Sequence, residues 1–116
     1  MVIMSSDCLF CRIVRREIPA TIIREDEHTL AFRDIDPKAP THVLVIPKSH
    51  VASLNDATDA AMLGRLLLVA RDLAKSEGIE TSGYRTVINT GAEAGQTVHH
   101  VHVHLLGGRP MKWPPG

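Results

Sequence analysis

His100-Val101-His102-Val103-His104, continued by Leu105-Leu106-Gly107-Gly108, sets three histidines in strict alternation with branched apolar residues. Alternation is the period of a β-strand. A strand over about 98–106 therefore carries the three imidazoles on one face and Val101, Val103 and Leu105 on the other. Neighbouring rings of such a row stand roughly 6.5 Å apart, twice the strand rise. A row of rings on an apolar-backed strand suits the grip of a small anion or a metal. Histidine near neutral pH also serves as nucleophile, proton carrier or ligand. By the same parity His99 falls on the valine face and points away from the row.

The chain around this strand supplies the rest of the fold. Immediately before it, Asn89-Thr90-Gly91-Ala92-Glu93-Ala94-Gly95-Gln96-Thr97 reads as a loop whose glycines permit tight turns. Backbone amides and the Thr97 hydroxyl can there converge on an anion. A strand over 85–89 leads into that loop. Further upstream one long helix is expected, N-capped by Thr58 and followed by Asp59. Met62, Leu63, Leu66, Val69, Ala70 and Leu73 recur along it at helical spacing, and Gly78 marks its end. The Leu66-Leu67-Leu68-Val69 run reads as core or interface packing. Strands are expected near 21–24, 29–33 and 42–46, the last stopped by Pro47. A short helix over 7–16, capped by Ser6 or Asp7 and closed by Pro19, opens the chain. Leu9, Phe10, Ile13 and Val14 form its apolar stripe. This order predicts an α+β domain with about five strands in a mostly antiparallel sheet.

At 116 residues the chain suits a single domain over 1–116, able to bury about 65% of its unfolded surface. Thirteen basic and 13 acidic residues give a formal charge of zero, which argues against duplex nucleic acid or an anionic membrane as partner. Aromatic residues make up 3%, too few for base stacking as a main device. Met1-Val2-Ile3-Met4 lacks the features of a signal peptide, and no stretch approaches the ~20 apolar residues of a membrane span. Two cysteines are too few for a secreted disulfide scaffold, so a cytoplasmic location is expected.

Several residues outside the histidine strand carry chemistry. His42 becomes a fourth imidazole if strands three and five bring their ends together. Asp34, between Phe32-Arg33 and Ile35, is an acid in an apolar setting able to grip the hydroxyls of a ribose. Cys8-Leu9-Phe10-Cys11 can be a redox pair, two buried thiols or half of a zinc site. Zinc needs two more ligands, and the available ones are His50, in Pro47-Lys48-Ser49-His50, or a member of the triplet. The tail Trp113-Pro114-Pro115-Gly116 can continue neither helix nor sheet, and its lone tryptophan is expected to dock.

At this point a resemblance is specific. His100-Val-His-Val-His-Leu-Leu is similar to the signature of the histidine triad (HIT) superfamily, in which three histidines alternate with apolar residues. The likeness extends through Cys8-Leu-Phe-Cys11-Arg-Ile, Glu17-Ile-Pro-Ala, Leu30-Ala-Phe-Arg-Asp-Ile, Ala39-Pro-Thr-His-Val-Leu-Val-Ile-Pro-Lys, Asn89-Thr-Gly and Gly95-Gln-Thr. The ending Gly107-Gly-Arg-Pro-Met-Lys-Trp-Pro-Pro-Gly resembles the HINT branch, the histidine triad nucleotide-binding proteins.

The resemblance implies a HIT-like fold, a homodimer with residues 107–116 docking near the interface, and hydrolysis of purine nucleoside 5′-phosphoramidates. His102 takes the position of the nucleophile that forms a nucleotidyl-histidine. His104 and His42 match positions that bind phosphate oxygens, and Thr97 stands where serine is common near the leaving group. Asp34 and Ile35 match the ribose segment, and Asn89, Gly95, Gln96 and Thr97 the phosphate side. Leu9, Phe10, Ile18, Phe32 and Leu44 match the apolar base pocket. Cys8, Cys11, His50 and His100 match the zinc ligands of other HIT branches and of related uridylyltransferases, and two Cys with two His suit a structural zinc. Two rival activities belong to the same resemblance: a dinucleoside polyphosphate hydrolase or nucleotidyltransferase, and a zinc-stabilised nucleotide-binding module whose hydrolysis is incidental.

Overall fold

The computed structural model describes residues 8–116; Ser6, Asp7 and the apolar start lie outside the described residues. From Cys8 the chain forms α1 (Leu9–Val14), β1 (Ile22–Glu25), β2 (Thr29–Arg33), β3 (Thr41–Pro47), α2 (Ala60–Ser76), β4 (Tyr84–Val87) and β5 (Val103–Gly107). Single 3-10 turns occur at Leu54–Asp56 and Ala92–Ala94. The strands make one open sheet in the order β1-β2-β3-β5-β4, and every neighbouring pair is antiparallel. The α+β architecture is the expected one, with a sheet that is antiparallel throughout. Among the described residues no helix is long and apolar enough to cross a membrane.

Period-two alternation gives the sheet two different faces. Ala31, Val43, Val45, Val103 and Leu105 point to α2, whose Met62, Leu66, Val69, Ala70 and Leu73 recur at helical spacing to meet them. Each fully buried aliphatic of this layer contributes about 1.5–3 kcal/mol relative to exposure. Leu30, Phe32, Leu44 and Ile46 point the other way, onto Phe10, Cys11 and Ile13 of α1. His42 and His104 belong to this second face, because Leu44 pairs with His104 and His42 with Leu106.

The long helix starts one residue later than expected. Asp59, not Thr58, is the cap, its carboxylate accepting from Ala61 N–H at 3.0 Å and Met62 N–H at 3.2 Å. One oxygen thus serves two amides, and its charge favours the positive helix end. At the other end Gly78 N–H donates to Lys75 O and Ile79 N–H to Ala74 O, which closes the helix in a Schellman turn. That turn drives Ile79 into β5, where Gly107 leaves room for it; a Cβ at Gly107 would overlap the Ile79 side chain. Gly107→Ala is expected to cost about 1–3 kcal/mol and to lower the thermal midpoint by on the order of 10 °C. A midpoint unchanged by calorimetry would mean Ile79 can move aside freely.

The histidine strand is shorter than its alternation predicts. β5 begins at Val103, so His100 and His102 precede it and only His104 is a strand residue. The cause is Pro47, which stands opposite position 101 in the β3–β5 register and has no N–H to offer the ladder. Its carbonyl accepts the His100 ring instead, at 2.8 Å, while Val101 N–H turns to Val51 O at 2.6 Å. His99, freed from strand parity, is exposed. The short helix differs as well. Cys8 is its cap, with Sγ 3.4 Å from Cys11 N, and the helix ends at Val14 ahead of the left-handed Arg16. Tyr84–Val87 likewise replaces the strand expected over 85–89.

Candidate active site and metal centre

The β3–β5 pairing sets His42 diagonally across from His104, and their rings meet with Nε2 of His42 2.9 Å from Nδ1 of His104. The His102 and His104 ring centroids are 4.9 Å apart, closer than an ideal strand would place them, because His102 lies before the ladder. Asp34 closes the group, with Oδ2 3.5 Å from Nε2 of His42. Its other oxygen accepts Asp36 N–H at 2.8 Å.

Backbone partners fix which nitrogen of each ring carries the proton. Lys38 N–H donates to Nδ1 of His42 at 3.0 Å, so the His42 proton is on Nε2 and is donated to Nδ1 of His104. His104 in turn carries its own proton on Nε2. The His100 carbonyl accepts Nδ1–H of His102 at 2.7 Å, which leaves the Nε2 lone pair of His102 available. One ring thus offers a nucleophilic nitrogen, and its neighbour offers a donor. That Lys38 contact is made by a backbone amide, so no side-chain signal in the sequence announces it.

Burial holds the cluster neutral. It pushes His104 down to about 4, helped by the neighbouring His102 and His42, and lowers His42 and His102 from their ordinary value. In the unfolded chain His104 titrates near 6.5. Between 6.5 and about 4 the unfolded chain binds a proton that the folded protein refuses, so stability falls as pH drops through that window. The loss attributable to His104 is at most about 3 kcal/mol. Thermal midpoints recorded from pH 7.5 to 4 are expected to show this fall, and His104→Asn to flatten it. An equal slope in the variant would remove His104 as the source.

Beside the imidazoles opens a cleft of about 260 Å³. Leu9, Phe10, Ile18, Phe32 and Leu44 all line it, with Asp34, Ile35 and Thr97. Ile13, Pro19, Ala20, Arg33 and Val98 complete its walls. Ile35 is 96% exposed and Leu9 45%, so they form its outer lip. Phe10 joins cleft and cluster, its ring 5.1 Å from that of His102 and 5.4 Å from that of Phe32. Asn89, Gly95 and Gln96 do not line this cleft. The Gln96 carboxamide is committed to the loop, accepting from Gly91 N–H and donating to Ala52 O and Val98 O. Its own N–H donates to Gly91 O, so Gln96 fastens the loop and has no donor left for a ligand. Trp113 is 81% exposed, with the Arg85 guanidinium 6.0 Å from its ring centre.

Behind the cluster, Cys8, Cys11, His50 and His100 bring one donor atom each to within 4.8 Å of one another. His100 Nδ1 lies 3.3 Å from Cys8 Sγ and 3.5 Å from Cys11 Sγ, and His50 Nδ1 lies 3.4 Å from Cys11 Sγ. A tetrahedral zinc with ordinary Zn–S and Zn–N bonds needs donor separations of roughly 3.3–3.8 Å. The tautomer fits too: Pro47 O accepts Nε2–H of His100 and leaves the Nδ1 lone pair facing the sulfurs. Burial and the neighbouring Cys8 push the Cys11 thiol up to about 11. The same desolvated sulfur is the kind of donor a divalent ion holds as thiolate. Asp34, His42 and His104 also converge, but their amide and ring hydrogen bonds mark them as a proton-ordered chain.

An antiparallel sheet that presents clustered imidazoles beside an apolar cleft defines the histidine triad class of proteins. Residues 15–111 match the HIT domain, and the chain belongs to that family. A HIT family hydrolase from Legionella pneumophila is 54% identical with a TM-score of 0.92, over 94% of this chain and 99% of that one. The 14 kDa zinc-binding protein of Zea mays is 53% identical over 96% of this chain and 89% of its own length. A zinc-bound histidine triad family protein from Mycobacterium smegmatis is 38% identical with a TM-score of 0.83, over 91% of this chain and 78% of that one.

Proposed function

We propose that this chain is a HINT-type hydrolase of purine nucleoside 5′-phosphoramidates that works through a nucleotidyl-histidine at His102. The observation that carries the reading is the tautomer of His102: Nδ1–H is tied to the His100 carbonyl, and Nε2 keeps its lone pair beside the cleft. Nε2 attacks the α-phosphorus, the P–N bond breaks, and the amine leaves with a proton taken from solvent, which the later attack of water returns. Water then attacks the same phosphorus, releases the nucleoside monophosphate and restores His102. The Nε2–H of His104, backed by His42, faces charge on the phosphate oxygens as it develops. The Thr97 hydroxyl serves the leaving-group side, Asp34 and Ile35 the ribose, and the apolar cleft the base; Asn89 and Gly95 belong to the loop that flanks the phosphate.

Zinc on Cys8, Cys11, His50 and His100 is a structural ion in this reading: it ties α1 to the segment that presents His102. The likeness to two zinc proteins and the donor separations support it. We assign residues 1–116 to one domain and the working form to a homodimer. The edge position of β4 among the described strands, the exposed Leu67 and Leu68 of α2, and the exposed Trp113 in the 107–116 tail support the dimer. Two buried cysteines that form no disulfide, and are here assigned to zinc, suit the reducing cytoplasm.

The test is incubation with an AMP–amine conjugate, acid quench and mass spectrometry of the histidine peptides. An adenylyl group on His102 is the expected result. Faster turnover of dinucleoside polyphosphates would move the assignment to another HIT branch, and tight AMP binding with no adduct would make the protein a binding module.

A further inference from the structure

Arg109 lies beyond the end of β5, outside both the imidazole cluster and the metal centre, and its guanidinium is spent on carbonyls. Nε donates to Lys38 O at 3.0 Å and Nη1 to Pro110 O at 3.2 Å. One residue earlier Gly108 turns with φ +92° so close to Pro40 that a Cβ there would come 2.8 Å from that ring. The turn after β5 therefore holds the 34–40 loop at two adjacent points. That same loop governs His42. Lys38 N–H donates to Nδ1 at 3.0 Å, and Asp34 N–H donates to His42 O at 3.0 Å.

We propose that Arg109 is a positioning residue for the reaction assigned above: by anchoring the Lys38 backbone it holds His42 as the Nε2–H tautomer that donates to His104. The two tautomers of a free imidazole are close in energy, so a single backbone amide decides between them. With the other tautomer, Nε2 of His42 and Nδ1 of His104 face each other as two lone pairs. His104 must then move its proton inward and loses the outward Nε2–H that meets a phosphate oxygen. Arg109 touches neither ring, and the effect passes through residue Lys38, from its carbonyl across the Cα to the N–H of the preceding peptide. The proposal rests on the phosphoramidase reading for its kinetic consequence, whereas the tautomer itself does not depend on that reading.

The test pairs Arg109→Ala with Arg109→Lys in the full-length protein and reads nitrogen NMR of the imidazoles alongside turnover of an AMP–amine conjugate. In the parent protein His42 is expected as one tautomer, with Nδ1 accepting. Arg109→Ala should convert it to a mixture and lower kcat about tenfold, with KM changed less than about twofold. The thermal midpoint should move by no more than about 3 °C, because the bonds lost are at the surface. Arg109→Lys, which still offers a donor to Lys38 O, should restore most of both signals. An unchanged His42 tautomer in Arg109→Ala overturns the proposal, and so does a fall in kcat without a change of tautomer. If the parent protein leaves the conjugate untouched, the phosphoramidase reading fails, and the His42 spectrum alone then decides the role of Arg109.

Discussion

His102→Ala is expected to lose at least about 10⁴-fold in turnover of an AMP–amine conjugate, some 5.5 kcal/mol of transition-state stabilisation. On the proposed reading, losing His102 closes the covalent route, and the residual rate comes from groups that bind the phosphate. The fold should survive. The ring's hydrogen bond is to the carbonyl two residues back, so the variant loses one local bond and the edge contacts with Phe10 and His104. Metal content should be that of the parent protein, since His102 is not among the four converging donors. Steady-state kinetics with zinc analysis on the same preparation checks both parts. Turnover within tenfold of the parent would sink the assignment of His102.

His100→Ala should behave in the opposite order. This ring has 0% exposure, faces both sulfurs and donates to Pro47 O. Its loss leaves a cavity, a buried carbonyl without a partner and a metal site of three ligands. Large-to-small replacement at such a position costs about 3–5 kcal/mol before any metal is counted. A drop of at least about 10 °C in the thermal midpoint, with bound zinc lost, is the expected outcome. Activity should fall as a consequence, because the His100 carbonyl that orients His102 belongs to the loosened segment. If His100→Ala and His102→Ala match in stability and metal content, the division of labour within the triplet is wrong.

Much of the molecule is legible along the chain because it is governed by local periods. The α2 stripe from Met62 to Leu73 repeats at 3.6 residues and packs on the sheet as that spacing requires. Beyond those periods, the five apolar residues that the family resemblance matched to a base pocket all line one cleft. The errors have local causes as well. The cap moved from Thr58 to Asp59 because a carboxylate can serve two amides at once. Gln96, which the resemblance matched to the phosphate side, turns its carboxamide inward to Gly91, Ala52 and Val98. Side-chain direction in a loop follows from the partners it finds, and no periodicity encodes them.

By itself the sequence determined that a histidine-bearing strand backs onto an apolar layer, that Cys8 and Cys11 share one helical turn, and that one long helix covers the sheet. These follow from alternation, spacing and caps, each readable within a dozen residues. Tertiary structure alone decided which groups each histidine ring meets. Pairing of β3 with β5 brought His42 across 62 residues to His104, and it set Pro47 opposite position 101. The ladder therefore stopped at Val103 and released the two histidines before it. His100 then turned its lone pair to the thiols, and His102 kept its Nε2 free because the His100 carbonyl held the other nitrogen. Register between distant strands is fixed by burial summed over both faces of the sheet, and tautomers are fixed by the carbonyls and amides that register delivers. Neither quantity exists until the chain has folded.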